Sequence, residues 1–297
     1  MWDSAQISGS FLRLSIFPVG RLRRPRPSAV LRERKPLGGQ RYKHMTTYPI
    51  IEHDSTREAF IEPSKVIRPR DMPEHCVICF FKEVLDRVIE NHNAKILVEN
   101  RWEDGAHPVY EIEHNGKRLA FYHPGIGASL SASILEEVIA FGCKKFIACG
   151  GSGVLAKDIA VGNLIVVSGA IRDEGVSYHY LPPDREVIAN TKGINALVSE
   201  LDKRGIPYHT GKTWTTDAPY RETPKKIAKR KDEGCLTVEM ECAGMMAVAQ
   251  FRDVIFGQVL YGGDDLSGTN WDNRGWQSRK EVRESLFWLC ADVCLAL

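Results

Sequence analysis

No stretch of this 297-residue chain approaches the ~20 consecutive apolar residues that span a bilayer, so no membrane role is expected. The short apolar run Phe11–Val19 is interrupted by Arg13 and Pro18, which argues against a secretory signal. Net charge is nearly absent, at a formal +2, but it is unevenly spread. Residues 1–44 hold ten Lys and Arg against Asp3 and Glu33, leaving 30 bases and 36 acids in the body. Such a mildly acidic body offers nucleic acid no footprint, and none is expected as a partner. The cysteine spacing lacks a zinc pattern: Cys76 and Cys79 form one C-x-x-C, and Cys290 and Cys294 sit one helical turn apart. The eight thiols read as buried or half-buried side chains of a reducing compartment, and no metal is expected. No G-x-G-x-x-G follows a first strand and no Walker pattern occurs, which disfavours a dinucleotide or P-loop enzyme.

The basic head leaves three readings open. Its Arg-rich, acid-poor composition resembles a mitochondrial transit peptide. The RLRRPRP stretch also suits a disordered tail. It could instead precede a true start at Met45. Residues 45–297 are expected to form a single domain, cytoplasmic unless residues 1–44 direct it to mitochondria.

From residue 75 onward, short apolar runs alternate with helical periods. Strands are expected at Cys76–Phe81, Arg118–His123, Lys145–Cys149, Asn163–Ser168, Gly211–Thr216, Cys235–Val238 and Val254–Tyr261. Helices are expected at Glu83–Asn93, Ser131–Phe141, Leu197–Arg204, Pro224–Asp232, Glu241–Phe251 and Ser278–Ala296, with Gly142 and Gly205 as stops. Repeated βα units imply an α/β domain whose largely parallel sheet is covered by helices. Glycine turns at strand ends are where such sheets bind ligands.

Three constellations could carry chemistry. The first is a pair of expected glycine turns, Gly125-Ile126-Gly127 and Cys149-Gly150-Gly151-Ser152-Gly153, where backbone N–H groups can approach an anion such as phosphate. Tight turns without a ligand are the plain alternative. The second is Val238-Glu239-Met240-Glu241 at a strand-to-helix junction, where a carboxylate can accept from a sugar diol while Met packs on the sugar face. Otherwise Glu241 is simply an acid in a first helical turn. The third is Gly262-Gly263-Asp264-Asp265-Leu266-Ser267-Gly268, whose acids after an apolar strand suit general-acid work at a leaving group. An Asx turn or helix cap is the alternative there.

Taken in order, these pieces resemble the nucleoside phosphorylase-I family of purine and uridine phosphorylases and related nucleosidases. The resemblance is carried by Gly125–Gly127 with the SASILEEVIAFG helix, by FIACGGSGVL, IRDEGVSYHYLP (171–182) and TWTTDAPY (213–220), and by VEMECAG (238–244) and GGDDLSG. It covers about residues 75–296. The resemblance implies an α/β three-layer sandwich with a mixed, mostly parallel sheet flanked by helices, assembled as a homo-oligomer from dimer to hexamer. It also implies phosphorolysis of a purine, or alternatively uridine, nucleoside, with inorganic phosphate as co-substrate and no cofactor.

By the same resemblance, Met240 and Glu241, flanked by Glu239, would hold the ribose. Asp264 would meet N7 of a purine, and Tyr220 would lie near the base. Arg172, Ser177 and His179 match a segment of uridine phosphorylases. Gly127, Gly151, Ser152 and Arg101 would bind phosphate, Arg101 reaching a neighbouring subunit's site, with Lys82 as a substitute. The chain departs from the pattern where the phosphorylases place an Arg and this chain has Ala148. It departs again at Gly151, which replaces a hydroxyl residue, and at Cys79–Glu83, where the GDPxR phosphate loop is missing. Those departures keep two rivals in view: a nucleosidase using water, and a nucleoside-binding or storage protein without catalysis.

Overall fold

Alternate residues of a strand face opposite ways, so a strand that is apolar throughout must be covered on both sides. The computed structural model, which describes residues 48–297, shows this arrangement. Its strands are β1 (His75–Cys79), β2 (Lys95–Trp102), β3 (Gly105–His114), β4 (Lys117–Tyr122), β5 (Lys145–Val154), β6 (Leu164–Asp173), β7 (Glu186–Ile188), β8 (Tyr208–Thr216), β9 (Cys235–Glu239) and β10 (Ile255–Asp265). The helices are α1 (Pro63–Val66), α2 (Lys82–Asn91), α3 (Ala128–Phe141), α4 (Ser177–Tyr180), α5 (Thr191–Arg204), α6 (Pro224–Asp232), α7 (Cys242–Phe251) and α8 (Lys280–Ala296). The basic head and Met45 lie outside the described residues.

Cys76 and Ile78 of β1, with Phe146 and Ala148 of β5, pack into one apolar cluster with residues of α3 and α7. The intervening Val77, Cys79, Ile147 and Cys149 pack into a second cluster with residues of α2, α5 and α8. The result is the expected three-layer α/β sandwich. All eight cysteines are buried and free. No helix among the described residues is long and apolar enough to cross a membrane.

The sheet is mixed, with strand order β10-β6-β8-β9-β5-β1-β4-β3-β2 and β7 on β6. Parallel pairings join β1 to β4 and β5, β5 to β10, β6 to β8, and β8 to β9. Antiparallel pairings build the β2–β3–β4 meander and join β6 to β7 and β10, and β5 to β9. Because β5 also pairs with β10, strands β5, β9, β8, β6 and β10 close into a ring.

One expected glycine turn proves to be strand, and the last expected strand runs four residues beyond Tyr261. β5 runs through the glycines to Val154, and β10 runs through Gly262 and Gly263 to Asp265. Their register pairs Gly151 with Tyr261 and Ser152 with Gly262, while β5 also pairs Gly153 with Val238 of β9. Close approach is what glycine permits here. A Cβ on Gly153 would lie 2.6 Å from Leu266 Cδ1 and 2.9 Å from Val238 Cγ1.

Candidate active site

The C-terminal ends of β5, β9 and β10 open into a cleft of about 820 Å³. Its polar core is built from the strand-to-helix junction after β9. The Glu239 carboxylate accepts from Thr215 Oγ1 at 2.6 Å and from the N–H groups of Glu241 and Cys242 at 2.7 and 2.6 Å. Thr215 Oγ1 in turn accepts from Ala243 N at 3.0 Å. Glu239 and Thr215 together cap the first turn of α7, whose amides favour a negative charge. Glu239 lines the cleft but is already fully engaged as this cap.

Glu241 occupies the N-cap position itself, with its side chain directed elsewhere. Its Oε1 accepts from Gly127 N at 2.7 Å and its Oε2 from Met240 N at 3.3 Å. Gly127 sits at φ +88°, in the left-handed region that lets its N–H face the carboxylate. Burial pushes both the Glu239 and Glu241 carboxyls up, and the charge of Glu241 raises Glu239 further.

Asp264 stands half-buried near the end of β10, where Trp271 Nε1 donates to its Oδ2 at 2.6 Å. Asp265 separates from it: its carboxylate pairs with Arg274 and accepts from Ser267 N, which makes it a turn-forming residue. The acidic pair therefore supplies one cleft group and one structural group. Tyr220, 98% exposed, and Trp271, 62% exposed, stand at the mouth with Ile126.

The expected phosphate residues are not brought together. Gly151 and Ser152 line the cleft, but as ladder residues, and Ser152 Oγ donates to Tyr261 O at 3.2 Å. The Gly127 N–H is engaged by Glu241. Arg101 lies on β2, paired with Glu99, and does not line the cleft of its own chain. Lys82 pairs with Asp86 across one turn of α2. The uridine-type segment is structural too: Arg172 is buried, donates to Ser177 Oγ at 2.8 Å and to the Leu181 and Pro182 carbonyls, and stacks on Tyr178. Neither it nor His179 lines the cleft.

Three cleft residues escape sequence reasoning. Glu222 lies two residues beyond Tyr220, where burial and the Asp264 charge push its carboxyl up to about 7. Trp271 holds Asp264 from a polar loop with no periodicity. Arg283 of α8 is the one cation lining the cleft among the described residues. It stacks over Phe81 at 4.5 Å and donates to Glu83 Oε2 at 3.2 Å. The motif around Tyr220 pointed close to the first of these, but no local pattern marks the other two.

A sequence profile of the Phosphorylase superfamily matches residues 74–285, and the chain belongs to that family. It is 25% identical over 224 residues to the guanosine phosphorylase of Halorubrum lacusprofundi, covering 75% of this chain and 90% of that protein. A DeoD-type purine nucleoside phosphorylase of Colwellia psychrerythraea is 31% identical over 144 residues, 47% of this chain and 61% of the relative. Among solved structures, the AMP nucleosidase of Bacteroides thetaiotaomicron aligns with a TM-score of 0.62 at 22% identity, over 75% of this chain and 87% of that one. The purine nucleoside phosphorylase of Toxoplasma gondii aligns at 0.63 and 19% identity, over 76% and 96%.

Proposed function

We propose that this chain cleaves the N-glycosidic bond of purine nucleosides and passes the ribosyl group to inorganic phosphate. The observation that carries the reading is the placement of Glu241 and Asp264 on one cleft, the first fixed by Gly127 and the second by Trp271. Glu241, with Met240 beside it, accepts from the ribose hydroxyls. The bond from C1′ to the base nitrogen breaks with its electron pair leaving on the base, and the sugar becomes oxocarbenium-like. Asp264 acts as general acid, passing its carboxyl proton to N7 so that the purine leaves as the neutral base, and regains a proton from water. A phosphate oxygen then bonds to C1′, giving free base and ribose 1-phosphate. Phosphate would be met by Arg283, and by Arg101 only across a subunit contact in a homo-oligomer. No cofactor or metal enters this scheme. The relatives named as guanosine and purine nucleoside phosphorylases support the purine choice.

A second reading rests on the charge of the cleft. Glu222, Glu239, Glu241 and Asp264 line it against Arg283, which already pairs with Glu83. That balance disfavours a phosphate dianion and suits water as the acceptor. A solved neighbour is itself an AMP nucleosidase. Base release from inosine, guanosine and adenosine, with and without phosphate, separates the two. Release that requires phosphate and yields ribose 1-phosphate supports phosphorolysis, whereas equal release without phosphate, yielding ribose, overturns it. Binding of nucleoside without any release would make the protein a non-catalytic binder.

A further inference from the structure

Trp271 stands at the mouth of the cleft with 62% of its surface exposed, so burial contributes little to holding it there. The chain nevertheless fixes its position. Beyond β10, Asp265 and Asp272 exchange backbone hydrogen bonds at 2.7 and 3.0 Å, which closes a loop over residues 266–271. Arg274 ties the base of that loop, pairing with Asp265 and donating to Ile159 O at 2.9 Å. Trp271 thus adjoins one anchor, Asp272, and its indole N–H reaches back to Asp264, which adjoins the other.

That bond gives the two oxygens of Asp264 different tasks. An indole N–H can only donate, so Oδ2 accepts. In a neutral carboxyl the carbonyl oxygen is the better acceptor, which leaves the acid proton to Oδ1. Among the described residues nothing donates to Oδ1, and it lies over Gly153, where an added Cβ would stand 3.7 Å from it. Gly153 itself lines the cleft and puts no side chain beside that oxygen. We propose that Trp271 is a positioning residue, whose hydrogen bond to Oδ2 keeps the Asp264 proton on Oδ1 for delivery to the leaving base. The inference rests on the general-acid role given to Asp264 above. As the proton passes to N7 the carboxyl becomes a carboxylate, and the indole N–H meets the charge that gathers on it. Its contribution therefore grows toward the transition state.

The test measures kcat and KM on guanosine and 7-methylguanosine, with phosphate present and absent, for wild type, Trp271→Phe, Asp264→Asn and the double variant. 7-Methylguanosine already carries a positive charge on its five-membered ring, so its base leaves neutral without a proton. Trp271→Phe keeps an aromatic ring but removes the donor. It should lower kcat on guanosine by about 10-fold with KM within a few-fold, the scale of one hydrogen bond. On 7-methylguanosine the same variant should stay within about twofold of wild type, a split that lost packing or a changed cleft shape would not produce. In the Asp264→Asn background, which has no proton to place, adding Trp271→Phe should change kcat on guanosine by less than about twofold. An unchanged kcat on guanosine, an equal loss on both nucleosides, or the same loss in the Asp264→Asn background overturns the inference and leaves the general-acid reading standing. Should wild type reject 7-methylguanosine, the comparison in the Asp264→Asn background decides alone. No base released from guanosine by wild type, with or without phosphate, overturns the nucleoside reading and the inference with it.

Discussion

Asp264 and Asp265 are chemically identical neighbours with opposite fates. One faces the cleft with an indole N–H on its Oδ2, and the other pairs with Arg274 and shapes a turn. Asp264→Asn keeps the acceptor for Trp271 but loses the acidic proton that passes to the leaving base. We expect kcat on guanosine to fall by about 100-fold with KM within a few-fold, since proton transfer to the leaving base matters most in the transition state; an unchanged kcat would refute the assignment. Glu222 carries a pH signature in stability. Its carboxyl titrates near 7 in the folded chain, above the ordinary 4.5, so the folded state holds the proton longer than the unfolded one. Stability from this group is therefore intact below about 4.5, declines as pH rises, and is lost above about 7. Glu222→Gln cannot ionise, so its melting temperature relative to wild type should rise between pH 5 and pH 8. Glu239 and Glu241 titrate in both proteins and largely cancel in that difference. A difference independent of pH would refute it.

At the scale of elements, helix and strand cores were legible and their ends less so. Pro224–Asp232 appears with the expected bounds because proline opens it and a glycine turn follows. Leu197–Arg204 starts six residues early, at Thr191, because Asn190 caps it by accepting from Lys192 N and Gly193 N. The largest misreading lies at the glycine segments of β5 and β10. Glycine marks both turns and places where backbones meet closely, and only the partner strand tells them apart. Gly153 is of the second kind. Gly153→Ala should lower stability by about 1–3 kcal/mol, because Leu266 and Val238 leave no room for the methyl group and can yield only by shifting strands. An unchanged melting temperature in Gly153→Ala would show that β5, β9 and β10 are less tightly joined than described.

At the scale of the whole molecule, the thiols report on the layers. Cysteines from β1, β5, β9, α7 and α8, with Cys143 before β5, are all buried between sheet and helices. In native protein a thiol-specific reagent should label none of the eight within the time in which denatured protein labels all. Rapid labelling of any in folded protein would contradict the packing. The β2–β3 hairpin was not expected, since Lys95–Trp102 and Gly105–His114 are rich in charged and polar residues. They become strands because β4 offers β3 a free edge, and the hairpin keeps its polar side in solvent.

By itself the sequence determined the alternation of strands and helices, the family, and the junction that carries Glu239, Met240 and Glu241, because these depend on local periodicity and on short motifs. Tertiary structure decided which of those groups remain free for a ligand. Glu239 is taken by the α7 amides, Ser152 by a carbonyl of β10, and Gly127 by Glu241, whereas no donor among the described residues reaches Glu222. Whether a polar atom is engaged depends on partners far away in the chain, such as Gly127 and Glu241, which lie 114 residues apart. No local pattern encodes that proximity, because it exists only once α3, which Gly127 precedes, packs beside α7, which Glu241 precedes.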